Sequence, residues 1–133
     1  MRQSGKNQKR TIAVLLTGLF MVQQTMGLSV FAASTISGVT NGGSGSFNID
    51  PTTKTNGTGF RHYQDFNLGQ GDVANLNFAD INTFVNMVDN QVVINGIVNS
   101  VRGNGFYNGK AVFISPNGMV VGASGVLNVG SLG

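Results

Sequence analysis

The pattern of apolar and polar positions changes character twice along the chain. Thr11 to Val22 (TIAVLLTGLFMV) is an apolar run without a charge. It follows MRQSGKNQKR, which carries Arg2, Lys6, Lys9 and Arg10 and no acid. Residues 34 to 59 (STISGVTNGGSGSFNIDPTTKTNGTG) are dense in Ser, Thr, Gly and Asn, with one short apolar stretch around Phe47 and Ile49. This pattern reads as a turn-rich leader or N-terminal cap over residues 33 to 58, with room for one short strand. From Gly59 the texture shifts again. Phe60, Tyr63, Phe66, Leu68, Val73, Leu76 and Phe78 are set among turn residues, and Gly69-Gln70-Gly71-Asp72 divides them, so two strands joined by a turn are expected. In ADINTFVNMVDNQ the spacing of Ile81, Phe84, Val85 and Val88 fits one helical turn but is too short to decide. Beyond Gln91, short β-branched runs (VVINGIVNSV, AVFIS, PNGMVVG, ASGVLNVG) are punctuated by Gly and Asn at close intervals. Strands and tight turns are predicted throughout, because each Gly costs a helix interior about 1 kcal/mol.

An internal echo sharpens the fold class. Ile94-Asn95-Gly96-Ile97-Val98 and Pro116-Asn117-Gly118-Met119-Val120 align twenty-two positions apart, and Gly103 falls on Gly125 at the same offset. That is close to the length of one coil of a stacked β solenoid, in which each rung buries its apolar row only when another rung stacks on it. The expectation is an all-β solenoid, with Asn95 and Asn117 as members of a ladder of carboxamides hydrogen-bonded along the stack. A plain β sandwich is the other architecture the pattern allows, and in it the same two residues are ordinary Asn-Gly turn positions.

The first apolar run, with its basic preface, has the order of a secretory signal peptide. Val30 and Ala32 supply the small residues a signal peptidase needs, which places cleavage between Ala32 and Ala33 and makes residues 1–32 the signal. A membrane-spanning anchor would need about 20 apolar residues, and Gln23 and Gln24 interrupt this run well before that. Removing the signal changes the electrostatics. The formal charge of +3 and the isoelectric point near 9.7 include four signal-segment bases. After cleavage Lys54, Arg61, Arg102 and Lys110 stand against Asp50, Asp65, Asp72, Asp80 and Asp89, so the basic balance disappears. A nucleic-acid partner is therefore not expected. The chain has no cysteine, so stability has to come from packing and backbone pairing. The sequence stops at NVGSLG directly after a strand-like run, which leads us to expect a C-terminally truncated fragment.

Motifs that would carry chemistry fail one by one. GNGFYNGK (Gly103 to Lys110) lacks the first Gly of a phosphate-binding loop, with Asn104 in its place, and Ala111 stands where Ser or Thr should follow the Lys. Gly42-Gly43-Ser44-Gly45-Ser46 begins like a calcium-binding β-roll repeat, but Phe47 occupies the position of the liganding Asp. His62 is the only histidine, which excludes a His/Cys zinc site, and it reads as a plain strand residue. The aspartates are dispersed and there is no Glu, so no carboxylate pair suggests acid/base work on a glycan. The expectation is a protein that is not an enzyme and has no catalytic residue, cofactor or metal.

Gly109-Lys110-Ala111-Val112-Phe113-Ile114-Ser115-Pro116-Asn117-Gly118-Met119-Val120-Val121-Gly122, followed by Gly125 to Leu132, resembles the N-terminal secretion domain of filamentous haemagglutinin-type two-partner-secretion adhesins. That family shows an apolar strand, an N-P-N-G turn, a second strand and an N-V-G-G-L-like rung. Asp65-Phe66-Asn67-Leu68 with Gly71 to Phe78 is similar to its upstream region, so the resemblance spans 59–133. Ser115 stands where the family has the first Asn of the turn, and Asp89-Asn90-Gln91-Val92 lacks the Pro of its second Asn-Pro motif. The resemblance implies a right-handed parallel β-helix with an N-terminal cap, on the surface of or secreted from a diderm bacterium. It implies an outer-membrane transporter of the two-partner-secretion family as partner, with Ser115, Pro116, Asn117 and Gly118 as the turn motif for its recognition. Any host-surface or glycan ligand of the adhesin would be met through downstream regions. The alternative, read from Phe60, Tyr63, Phe106 and Tyr107, is a small extracellular glycan-binding β domain whose aromatics stack on sugar rings.

Overall fold

The structure, a computed structural model, describes residues 33–133; the expected signal segment, including Ala32 of the cleavage pair, lies outside the described residues. Ala33 is exposed at the start of the described chain.

The chain enters through three short strands, β1 (Thr35–Ile36), β2 (Ser46–Ile49) and β3 (Thr53–Thr55). It then winds through a first coil of β4 (Thr58–Tyr63), β5 (Phe66–Leu68) and β6 (Val73–Asn77), and a second of β7 (Thr83–Val88), β8 (Val92–Ile94) and β9 (Ile97–Arg102). A short hairpin strand, β10 (Gly105–Phe106), precedes the third coil of β11 (Lys110–Ile114), β12 (Met119–Val121) and β13 (Val126–Asn128). Strand β14 (Ser131–Leu132) then starts along the path of β11. No helix occurs among the described residues. Corresponding strands of successive coils pair in parallel: β4–β7–β11, β5–β8–β12 and β6–β9–β13. The arrangement is a β-solenoid of about three turns with three sheet faces. A sandwich of Asn-Gly hairpins would pair its strands antiparallel. Here, among the described residues, only β1 on β5, β3 on β4 and β10 on β9 do so.

Three local expectations are revised. The segment from Gly59 to Phe78 holds three strands, because the chain bends between β4 and β5, where the Asp65 N–H donates to Ser37 Oγ at 2.9 Å. The leader holds three strands instead of one, each paired to the first coil. The stretch that fitted a helical turn is β7. Its inward positions are Phe84, Asn86 and Val88, and the polar residue in the middle hid the alternation of a half-buried strand. Asn86 is tolerated there because its carboxamide is satisfied. Tyr63 Oη donates to Asn86 Oδ1 at 2.6 Å, and Asn86 Nδ2 donates to the carbonyls of Phe84 and Val112.

Inside the coil, period-2 alternation points Phe47, Ile49, Ala74, Leu76 and Val98 inward from one face, and all are buried. Phe66 meets Tyr63 and Phe113 edge to face, with ring centroids 5.2 and 5.3 Å apart. Each fully buried Phe or Leu contributes about 1.5–3 kcal/mol by leaving water, so the stacked rows supply the stability that disulfides do not. Corners require close backbone approach. A Cβ on Gly96 would lie 2.3 Å from the Asp72 carbonyl oxygen and 2.6 Å from that of Gly69, so only glycine lets the second coil turn against the first.

Candidate functional site

The sequence motif Ser115-Pro116-Asn117-Gly118 forms the corner between β11 and β12. Its order matches the preferences of a tight turn: Ser first, Pro second to fix φ, Gly fourth. The Gly118 N–H closes it on the Ser115 carbonyl at 3.2 Å. Gly118 has a φ of 80°, whereas Asn117 stays out of the left-handed region. Ser115, which stands where the resembled family has Asn, does what a short polar side chain can do here. Its Oγ accepts the Asn117 N–H at 3.1 Å and donates to the Asn90 carbonyl of the coil beneath at 2.7 Å. Asn117 Nδ2 donates to the Asp89 carbonyl at 3.1 Å. The Asp89–Asn90 corner rests in turn on the first coil, where Asn90 Nδ2 donates to Asp65 Oδ1 at 2.8 Å. Pro116, Asn117 and Gly118 are exposed on this polar column of corners.

Asn95 and Asn117 do not form a ladder. Strand register pairs Ile94 with Val121, which sets Asn95 beside Gly122, while Asn117 stacks on Asp89 and Asn90. The echo at twenty-two positions is shorter than the actual coil, so it relates two different corners. A ladder does exist, on the outer side of the third face. Asn75 Nδ2 donates to Asn48 Oδ1 at 3.1 Å, Asn99 Nδ2 to Asn75 Oδ1 at 3.1 Å and Asn128 Nδ2 to Asn99 Oδ1 at 2.9 Å. These residues lie 27, 24 and 29 positions apart. Sequence reasoning fixed on Asn-Gly pairs and missed a signal that was present. Each ladder Asn sits between two inward residues, in Phe47-Asn48-Ile49, Ala74-Asn75-Leu76, Val98-Asn99-Ser100 and Leu127-Asn128-Val129.

Beside the ladder runs an open groove of about 760 Å³, lined by the four ladder residues together with Asn104 and Phe106 of the β9–β10 hairpin. No charged side chain lines it. Phe106 is 63% exposed, unusual for a phenylalanine. The other aromatics named from the sequence are engaged elsewhere. Tyr63 is buried, and Phe60 is half-buried in β4. Tyr107 lies beneath the Arg102 guanidinium, 3.7 Å from its ring centroid, with Oη donating to Asn82 Oδ1 at 2.6 Å. Burial pushes the Tyr63 phenol well above its ordinary range, with the nearby Arg61 charge opposing part of that rise.

Among the described residues both ends of the stack finish in edge strands. At the first coil, β1, β2 and β3 each occupy an edge of one sheet. At the last coil the outer edges of β12, β13 and β14 carry no strand among the described residues. Apolar side chains stand out there, with Val120 45%, Val126 44% and Leu132 47% exposed.

No protein-family model, curated protein or solved structure matches the chain. His62 pairs with Asp89 across exposed surface at 2.7 Å, and no group of three metal-ligating side chains occurs among the described residues.

Proposed function

We propose that this chain is the secretion-signal and folding-nucleus domain of a large surface-exposed or secreted filamentous adhesin. In this reading residues 1–32 are a signal peptide cut between Ala32 and Ala33. The remainder starts a right-handed parallel β-helix, passes an outer-membrane transporter of the two-partner-secretion family and has no enzymatic role. The observation that supports the reading best is the Ser115–Gly118 corner, a closed and exposed turn bonded to the Asp89 and Asn90 carbonyls of the coil beneath. That corner is set on parallel coils, an architecture in which each coil stacks on the one before. The Ser115–Gly118 corner is the recognition turn for the transporter in this proposal.

Export is the direct test. Asn117→Ala removes the bond to the Asp89 carbonyl, and Gly118→Val strains a φ of 80°. The double variant, co-expressed with the partner transporter, is expected to lose most of its export into the medium. Unchanged export would sink the recognition role of this corner. Val120→Lys with Val126→Lys separates the second role, because it leaves the corner intact while burdening the edge with charge. The folding-nucleus reading fails if a longer chain carrying these lysines folds at the wild-type rate.

A further inference from the structure

We infer that the groove beside the asparagine ladder is a binding site for a neutral, extended glycan. The argument starts from what each carboxamide has left to offer. A side-chain amide holds two N–H donors and a carbonyl with two acceptor positions. Along the ladder, Asn75 and Asn99 each spend one N–H on the residue before and one acceptor position on the residue after. One donor and one acceptor therefore remain on each, held in fixed orientation by the bonds that the ladder has already made. A sugar hydroxyl is itself a donor and an acceptor, so adjacent hydroxyls on a ring match this pair in both senses. An ammonium or a carboxylate ligand would use only half of it.

The repeat fits as well as the chemistry. Neighbouring strands lie about 4.8 Å apart, so the ladder presents an identical pair of groups at every step. An extended β-1,4-linked glycan advances by a comparable distance per ring with successive rings turned over, so like hydroxyls return at every second rung. Four rungs take part, from Asn48 to Asn128. The volume of about 760 Å³ falls within the range of sites that hold small ligands. Phe106 of the hairpin also lines the groove and is largely exposed, so its ring is available to stack on the apolar face of a sugar. The lining contains no Lys, Arg or Asp, which assigns a neutral glycan over a sulfated or uronic-acid polymer. The inference does not depend on the export reading, since none of Ser115, Pro116, Asn117 and Gly118 lines the groove.

The test is titration of the purified protein with neutral hexasaccharides, one of β-1,4-linked glucose and one of β-1,4-linked N-acetylglucosamine, with a heparin hexasaccharide as the anionic comparison. Side-chain amide resonances are followed by nitrogen-edited NMR. A neutral hexasaccharide is expected to shift the Asn75 and Asn99 side-chain signals saturably at millimolar concentration or below. Phe106→Ala, at an exposed position, is expected to keep the backbone spectrum and weaken binding at least tenfold, about 1.4 kcal/mol. The inference is overturned by the absence of a saturable shift with both neutral sugars, by preference for heparin, or by full binding in Phe106→Ala. A peptide of alternating Val and Asn provides the remaining arm. If it shifts the ladder amides and the sugars do not, the groove accepts a strand and the glycan assignment is wrong.

Discussion

Asn86 tests the physical account of the core most directly, because it is a polar residue at an inward strand position with no exposure. Replacing it with Leu preserves much of the volume and removes three hydrogen bonds: one from Tyr63 Oη, and those to the Phe84 and Val112 carbonyls. The Phe84 contact, at 3.3 Å, is the longest and carries least. The Tyr63 hydroxyl and the Val112 carbonyl are then left wanting partners, at about 1–3 kcal/mol each. Leucine returns part of this through its extra apolar surface, so a net loss of about 2–4 kcal/mol is expected. In a domain of this size that lowers the melting temperature by roughly 8–25 °C. Adding Tyr63→Phe removes the orphaned hydroxyl. The double variant should therefore recover about 1–2 kcal/mol relative to Asn86→Leu alone, although Tyr63→Phe by itself destabilises the wild type. Urea unfolding followed by far-ultraviolet circular dichroism measures all four proteins. If Asn86→Leu matches or exceeds wild-type stability, or if Tyr63→Phe is equally harmful in both backgrounds, the coupling described here does not exist.

Two further expectations concern single groups. Gly96→Ala should destabilise by about 3 kcal/mol, at the upper end for overpacking, because the new methyl meets two backbone carbonyls that cannot yield. Gly105→Ala, which has open space around it, should stay within about 0.5 kcal/mol in the same unfolding assay. Tyr63 sets an alkaline limit. Its folded pKa lies above the unfolded value near 10, so its contribution is intact below about pH 10 and is lost as pH rises from there toward the folded pKa. Thermal unfolding between pH 8 and 11.5 should show this decline in the wild type and a shallower one in Tyr63→Phe, and parallel slopes would contradict it.

What the sequence determined by itself is the all-β class of the fold. Regular Gly and Asn punctuation forbids helices, and β-branched runs of a few residues require strands that stack to bury anything at all. The Ser-Pro-Asn-Gly corner was also legible, since Pro and Gly impose their backbone angles locally. The length of the coil was not. Corners here vary from the two-residue bend at Gln64 and Asp65 to the β10 hairpin, so successive ladder residues fall 27, 24 and 29 positions apart, and no fixed period marks the alignment. That is why Asn95 and Asn117 looked equivalent and are not. Asn86 likewise broke the alternation of β7 by placing a carboxamide inside, where only Tyr63 and Val112, distant in sequence, make it affordable. The groove depends most on tertiary structure. Its four ladder carboxamides come from four separate strands, and only parallel stacking in register turns isolated polar residues into a continuous row lining one groove with Phe106.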